Sequence, residues 1–218
     1  MVSDPHRNQP VVEYGRTLES AKGVMVLVHG RGGSAADILG LAEGLYHHDV
    51  AYLAPEAAGH TWYPNSFLSP IASNEPWLTS ALDALGRVIE RAVQSGIAPN
   101  RVIVVGFSQG ACLATEFVAR NPTRYGGLIG FTGGLIGPPG TRFVYSGDLA
   151  GTPVFLGAGD PDPHVPWGRV EESASVLRGL GAEVTLRRYA GAPHTIIRDE
   201  IEEARKIVLS VMAPDPQE

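Results

Sequence analysis

Short apolar runs alternate with helical patterns along almost the whole chain, and this alternation restricts the fold more than any other feature. Five runs are nearly continuous in apolar, mostly β-branched residues and are bounded by glycine or proline; they are residues 24–28, 50–54, 102–105, 127–131 and 153–156. A strand covered on both faces needs this character, so the runs predict a buried parallel sheet. Residues 183–189 alternate as in an outer strand, and residues 11–18 fit an antiparallel edge strand.

Between the runs, apolar residues recur at spacings of three and four with polar faces opposite. This periodicity predicts helices over residues 35–46, 77–94, 109–120, 167–180 and 198–212. Strands that alternate with helices predict right-handed crossovers and an α/β fold with a mostly parallel, doubly wound sheet and helices on both faces. We expect residues 1–218 to form a single domain, with a polar, flexible N-terminus over residues 1–10.

Composition excludes several classes of partner and site. The 23 acidic residues outnumber the 17 basic ones, for a net charge of −6, and no basic cluster is present. We therefore expect neither nucleic acid nor an anionic membrane surface as a partner. Cys112 is the single cysteine, so an intrachain disulfide and CxxC metal or redox sites are excluded. No signal-peptide core or membrane-length apolar stretch occurs, which predicts a cytoplasmic protein with no integral membrane association.

A G-x-S-x-G pentapeptide, Gly106 to Gly110, follows the run at 102–105 and opens the helix at 109–120. In this context Ser108 lies on a sharp strand-to-helix turn that exposes its hydroxyl at a helix N-terminus. Glycine is needed on both sides because a Cβ would collide where the strand and the helix meet. The start of the helix also directs the backbone N–H of Gln109 toward developing negative charge. The pattern predicts a nucleophilic serine.

A serine hydroxyl needs a base and an acid that orients the base, and with this turn they follow in the order acid, then histidine. Only His164 and His194 come after Ser108. His194 follows the strand at 183–189, whereas His164 lies too near the candidate acids along one loop and is predicted to be a rim or solvent residue. Asp148 precedes the strand at 153–156 and belongs at the opposite edge of the sheet. Asp160 and Asp162 both follow that strand, and spacing alone does not decide between them.

The run at 24–28 ends in the glycine-rich segment His-Gly-Arg-Gly-Gly at 29–33, just before a helix. Such a turn offers free N–H groups beside the nucleophile, where a second oxyanion donor is required. Gly-rich turns also bind phosphate, but both the G-K-[ST] and the G-x-G-x-x-G patterns are missing, which argues against a nucleotide site. His29 is predicted to be a buried, hydrogen-bonded structural residue.

Four ordered motifs, at 29–33, 106–110, 159–166 and 191–194, resemble those of the phospholipase/carboxylesterase family of small α/β-hydrolases. That family includes bacterial carboxylesterases and acyl-protein thioesterases. The resemblance implies an α/β-hydrolase fold without a large cap domain and with neither metal nor organic cofactor. It also implies Ser108 as the nucleophile, Asp162 as the acid, His194 as the base, and the backbone N–H groups of Arg31 and Gln109 as the oxyanion donors.

Two departures from the family pattern concern substrate preference. Arg31 stands where the family often has an apolar residue and Gly33 where it often has an acid, and Thr132-Gly133 replaces a serine-glycine pair. Arg31 could favour an acidic substrate group, although a solvated side chain is the simpler interpretation. Aromatic and aliphatic loop residues are predicted to line the acyl or alcohol pocket; they are Trp62, Tyr63, Phe67, Leu135, Ile136 and Val165.

These features predict a serine carboxylester hydrolase that acts on a small-molecule ester, with short- to medium-chain acyl groups, through an acyl-enzyme. A lysophospholipase or acyl-thioesterase that acts on longer chains is the alternative. A non-catalytic hydrolase-like binding module is a remote one, and a dienelactone-type hydrolase would need cysteine at position 108. The sequence leaves the choice between monomer and homodimer open.

Overall fold

The computed structural model describes residues 4–214 and contains one seven-stranded sheet in the order β1-β3-β2-β4-β5-β6-β7. The strands are β1 (Val11–Gly15), β2 (Gly23–Val28), β3 (Val50–Pro55), β4 (Val102–Phe107), β5 (Gly127–Phe131), β6 (Pro153–Asp160) and β7 (Glu183–Ala190). β1 pairs antiparallel with β3, and the other neighbouring strands pair in parallel. The mostly parallel sheet, its antiparallel edge strand and the outer position of β7 are confirmed.

Within residues 4–214, five α-helices cover the two faces of the sheet. They are α1 (Ala35–Leu39), α2 (Trp77–Gln94), α3 (Gln109–Arg120), α4 (Trp167–Gly179) and α5 (Arg198–Met212). Buried side chains of α2, α3 and α4 form one apolar layer, and those of α1 and α5 form the other. The strands between these layers are buried on both sides, as their continuous apolar runs required. The doubly wound architecture is therefore confirmed.

Two elements are shorter than their sequence patterns indicated. The predicted helix at 35–46 is α-helical only to Leu39 and continues as a 3₁₀ turn, Gly40–Glu43. Glycine at 40 and 44 weakens the helix, and at Gly44 the chain passes so close to Ile201 that a Cβ would lie 2.9 Å from it. The predicted strand at 11–18 ends at Gly15, whose φ of +79° turns the chain out of the sheet.

The N-terminal segment differs in part from the expected flexible terminus, because His6 is packed into the structure and only 2% exposed. Its Nε2 lies 2.9 Å from the carbonyl oxygen of Trp62, and its Nδ1 accepts the backbone N–H of Ala58 at 3.0 Å. These bonds attach the segment to the loop that follows β3. Residues 1–3 of the same predicted terminus lie outside the described residues.

The two longest connections follow the carboxyl ends of β3 and β5. Residues 56–76 and 132–152 hold only 3₁₀ turns and irregular chain, so the described structure carries no large cap over this edge. Between residues 4 and 214, no helix is both long and apolar enough to cross a membrane.

Candidate active site

Ser108 lies between β4 and α3 in a backbone conformation that is unfavourable for a residue with a side chain, with φ of 54° and ψ of −118°. Its backbone N–H donates to the carbonyl oxygen of Phe131 in β5 at 2.9 Å. Gly106 and Gly110 permit the tight turn, because a Cβ at 106 would lie 2.5 Å from the backbone nitrogen of Ala111 and one at 110 would overlap β2. The predicted sharp turn is present, and it presents the Ser108 side chain to the cavity described below.

Three side chains that are distant in the sequence meet at this turn. His194 Nε2 lies 2.9 Å from Ser108 Oγ, and His194 Nδ1 lies 2.7 Å from Asp162 Oδ2. His194 follows β7 and Asp162 follows β6, so both reach the carboxyl edge of the sheet where β4 ends. The arrangement is a serine, a histidine and a carboxylate in hydrogen-bonded series.

The carboxyl group of Asp162 is ionised in this arrangement, which determines the histidine tautomer. Burial opposes ionisation, but hydrogen bonds from the backbone N–H groups of His164 and Val165 and from His194 hold the pKa of Asp162 below its ordinary value. An ionised carboxylate only accepts hydrogen bonds, so neutral His194 carries its proton on Nδ1. Nε2 is therefore free to accept the proton of the Ser108 hydroxyl.

The other two candidate acids and the other candidate base do not join this hydrogen-bonded series. Asp160 pairs with Arg188 on β7, and Asp148 accepts the backbone N–H of Ala150, so neither reaches the imidazole. His164 is exposed at the cavity rim, with its ring centroid 4.9 Å from that of His194.

His29 is buried, as the sequence indicated. Its Nδ1 lies 2.8 Å from the carbonyl oxygen of Gly30, and its Nε2 accepts the backbone N–H of Ala57 at 3.1 Å. Burial lowers the pKa of His29, so the ring is neutral and serves as a structural bridge between β2 and the loop after β3.

The glycine-rich turn after β2 passes beside Ser108, since a Cβ on Gly30 would lie 3.5 Å from Ser108 Cβ. Gln109 is the first residue of α3, so its backbone N–H has no acceptor within the helix. In the described part of the chain, the backbone N–H groups of Arg31 and Gln109 donate to no other residue. Two backbone donors without a partner in the described residues thus belong to residues that line the same cavity as Ser108.

A cavity of about 640 Å³ opens over Ser108 and His194. Three of the predicted pocket residues, Tyr63, Phe67 and Val165, line it, together with Phe107. The other three do not belong to its wall, which corrects the prediction for Trp62, Leu135 and Ile136. These three side chains are at most 1% exposed and pack into the apolar layer beneath the sheet edge.

The side chain of Gln109 explains why Trp62 is buried. From the sequence, only the backbone N–H of Gln109 was given a role. The Gln109 amide oxygen accepts the backbone N–H of Trp62 at 2.9 Å, and its amide nitrogen donates to the carbonyl oxygen of Tyr63 at 2.8 Å. The indole N–H of Trp62 donates to the carbonyl oxygen of His29 at 2.8 Å. The Gln109 side chain therefore fixes the loop after β3 onto the turn that carries Ser108.

Two buried charged residues hold the loop after β5 in the same way. Glu116 accepts the backbone N–H of Ile136 at 2.9 Å, and Arg169 donates to the carbonyl oxygens of Leu135 and Gly137 at 2.8 and 2.7 Å. Glu116 and Arg169 are 1% and 6% exposed on otherwise apolar helix faces. A charged residue on an otherwise apolar helix face is the sequence signal that could have predicted these buried bonds to the loop. The predictions from the sequence did not include it.

Glu200 lies beneath the segment that carries His194. One carboxylate oxygen accepts the backbone N–H of Ile197 at 3.0 Å, and the other is buried against Gly157 without a partner in the described residues. Burial raises the pKa of Glu200 from 4.5 to about 7. The ionised form is therefore disfavoured in the folded protein.

We expect Glu200→Gln to stabilise the protein more at pH 8 than at pH 5. Between pH 4.5 and about 7 the unfolded chain releases the Glu200 proton while the folded chain retains it, so stability falls as the pH rises. The gain from the substitution should be about 2 kcal/mol larger at pH 8. Urea unfolding of both proteins at the two pH values measures it, and an equal gain at both would contradict the assignment.

Comparisons with known proteins show which sequences and structures this chain is similar to. A sequence model described as phospholipase/carboxylesterase matches residues 8–211. The solved structure of a phospholipase/carboxylesterase from Dyadobacter fermentans has 43% identity and a TM-score of 0.89, covering 93% of this chain and 97% of that one. Acyl-protein thioesterase 1 of Saccharomyces cerevisiae is 25% identical over 213 residues, 88% of this chain and 93% of that protein. Its Gibberella zeae namesake is 30% identical over 129 residues, 58% of this chain and 55% of that protein.

The fold defines an α/β-hydrolase, and the turn that carries Ser108 lies between a central strand and its following helix. Within that class, the chain belongs to the phospholipase/carboxylesterase family, whose model spans nearly all of it. The protein is thus a hydrolase of the esterase and thioesterase group, and the predicted family and fold are confirmed.

Proposed function

We propose that the protein is a serine carboxylester hydrolase that acts on small esters with short- to medium-chain acyl groups. The observation that carries the proposal is the hydrogen-bonded series from Ser108 through His194 to Asp162, with spacings of 2.9 and 2.7 Å. These are the distances at which a base removes a hydroxyl proton and a carboxylate orients the base.

Catalysis then proceeds in two halves. Ser108 Oγ attacks the ester carbonyl carbon while His194 Nε2 takes the hydroxyl proton, and the ionised Asp162 stabilises the resulting imidazolium. The backbone N–H groups of Arg31 and Gln109 bind the oxyanion of the tetrahedral intermediate. His194 returns the proton to the departing alcohol, which leaves an acyl group on Ser108. In the second half, His194 Nε2 takes a proton from a water molecule. The water oxygen attacks the carbonyl carbon of the acyl-enzyme, which releases the carboxylic acid and restores Ser108.

The cavity supports a short acyl group. Polar residues interrupt its apolar wall: Phe67, Phe107 and Val165 are apolar, whereas Asn65 and Ser66 belong to the same wall. Each methylene gains about 0.8 kcal/mol only while it remains buried, so the benefit of a longer chain ends where the apolar wall ends.

A series of p-nitrophenyl esters tests this proposal. We expect kcat/KM to rise from acetate to butyrate or hexanoate and to gain nothing further toward dodecanoate and palmitate, because the additional methylenes lie outside the apolar wall. An increase of about tenfold or more between hexanoate and dodecanoate would contradict the short-chain assignment. Absence of turnover with every ester would contradict the hydrolase proposal itself.

An acyl-thioesterase or lysophospholipase is the second candidate, favoured by the acyl-protein thioesterase 1 relative that aligns with 88% of this chain. Oxygen esters and thioesters of the same acyl group, compared at matched chain length, distinguish the two. The esterase proposal predicts similar or higher kcat/KM for the oxygen ester once the difference in uncatalysed hydrolysis is subtracted. A preference for the thioester that grows with chain length would support the second candidate instead.

A further inference from the structure

Arg31 is fixed at the wall of the cavity that contains Ser108. Its Nη1 donates to Thr61 Oγ1 at 3.0 Å and to the carbonyl oxygen of Pro64 at 2.9 Å, and its Nη2 donates to the carbonyl oxygen of Asn65 at 2.6 Å. The guanidinium carbon lies 6.0 Å from the centre of the Tyr63 ring. The side chain is therefore held in one place by the loop after β3, which differs from a freely solvated arginine.

The positive charge of Arg31 is not neutralised by the protein. All three acceptors are uncharged, and no carboxylate of residues 4–214 forms an ion pair with it. The residues that line the described cavity include no aspartate or glutamate, although the chain has 23 acidic residues. An arginine side chain stays protonated at any pH at which the protein is folded. The cavity therefore carries a permanent positive charge.

The guanidinium also keeps hydrogen-bonding capacity. Arg31 has five N–H donors, and the three bonds to the loop use three of them. The donors without a partner in the described residues are the Nε–H and one N–H of Nη2. Free guanidinium N–H groups are the donors with which an arginine binds a carboxylate.

We propose that Arg31 selects esters that carry a second, anionic group, such as the half-esters of short dicarboxylic acids. This inference rests on the proposed hydrolase function and names its substrate class. The ester carbonyl lies at Ser108 between the two backbone donors, and the free carboxylate of the same substrate pairs with the Arg31 guanidinium across the cavity. The apolar side chains Phe67, Phe107 and Val165 contact the short hydrocarbon that joins the two groups.

The test compares matched pairs of substrates that differ only in charge. One pair is 4-nitrophenyl hydrogen glutarate and its methyl ester, with the charge on the acyl side; the other is 4-acetoxybenzoic acid and its methyl ester, with the charge on the leaving group. We expect kcat/KM for the anionic member of at least one pair to exceed that of the neutral member by about 10- to 100-fold, after correction for intrinsic reactivity. Raising the ionic strength to about 1 M should reduce this preference.

Arg31→Gln should lower the ratio of anionic to neutral kcat/KM to near one in the preferred pair. The substitution keeps the backbone N–H, and any loosening of the loop affects both members of a pair, so the ratio isolates the charge. Arg205→Gln is the matched control: it removes the same charge from an exposed position on α5 and should leave the ratio unchanged.

The outcomes separate this inference from the proposed function. Turnover of neutral esters with no preference for the anionic member of either pair, or a ratio that survives Arg31→Gln, would overturn the role of Arg31 and leave the esterase assignment intact. Absence of turnover with all four substrates would contradict the esterase assignment.

Discussion

Replacing Ser108 with alanine is expected to lower kcat for ester hydrolysis by about 10⁴-fold or more. The substitution removes the oxygen that attacks the ester. A water molecule in its place cannot form the acyl-enzyme. The fold should persist, because among residues 4–214 the Ser108 side chain loses only its hydrogen bond to His194. Steady-state kinetics on a short p-nitrophenyl ester, together with circular dichroism and a thermal melt of the same preparation, measure both effects.

The matched control for this variant is Ser175→Ala, at an exposed position of α4 that does not belong to the cavity wall. It should retain turnover within about twofold, since surface substitutions away from special features change little. A Ser108→Ala protein that is folded and still turns over the ester at the rate of the wild type would remove Ser108 from the mechanism.

Replacing Gly110 with alanine is expected to destabilise the protein by about 4 kcal/mol or more, or to prevent folding. The first turn of α3 packs directly on the end of β2, where a Cβ would overlap the carbonyl oxygen of Val28 and lie 2.5 Å from that of His29. Backbone atoms cannot move aside as a flexible side chain can, so α3 must separate from the sheet. For a chain of this length the melting temperature should fall by about 10 °C or more, and activity should fall with it.

Gly168→Ala provides the comparison for the same chemical change in an open environment. Gly168 lies in α4, and nothing would meet its Cβ within 4 Å. This variant should gain up to about 1 kcal/mol, because alanine favours the helix and restricts the unfolded chain. Similar melting temperatures for the Gly110→Ala protein and the wild type would contradict the close approach of α3 to β2.

Most of the sheet and four of the five helices could be predicted because burial leaves a strong periodic signal. Strands covered on both faces must be apolar at nearly every position, and helices that cover them must be apolar on one side. α1 was predicted too long because an apolar pattern does not reveal where a glycine ends a helix. The turn at Ser108 was predictable because only glycine fits at positions 106 and 110, where a Cβ would collide with the backbone.

The choice of acid was not available from spacing. Asp160 is the last residue of β6 and Asp162 lies two positions further on, and which of them faces His194 depends on the local turn. That turn is fixed by hydrogen bonds from the backbone N–H groups of His164 and Val165 to Asp162. The spacing of residues in the sequence does not reveal these bonds. The resemblance to the family indicated Asp162, and the geometry agrees.

The pocket was predicted only in part, since an apolar loop residue can face either a cavity or the core. Trp62 and Ile136 face the core because Gln109 and Glu116, on the first and third turns of α3, bond to their backbone N–H groups. Long-range hydrogen bonds of this kind determine which loop side chains line the cavity and which pack into the core. They are visible only when the loops and the helix are placed together.

Covalent trapping with a fluorophosphonate tests the central claim, that His194 and Asp162 activate Ser108, most directly. Intact mass spectrometry of the wild type should show one phosphonylated site, and peptide mapping should place it on Ser108. The His194→Ala protein should label far more slowly under the same conditions, because the base that removes the hydroxyl proton is gone. A wild-type protein that stays unlabelled, or one that carries the adduct on a different serine, would contradict the account.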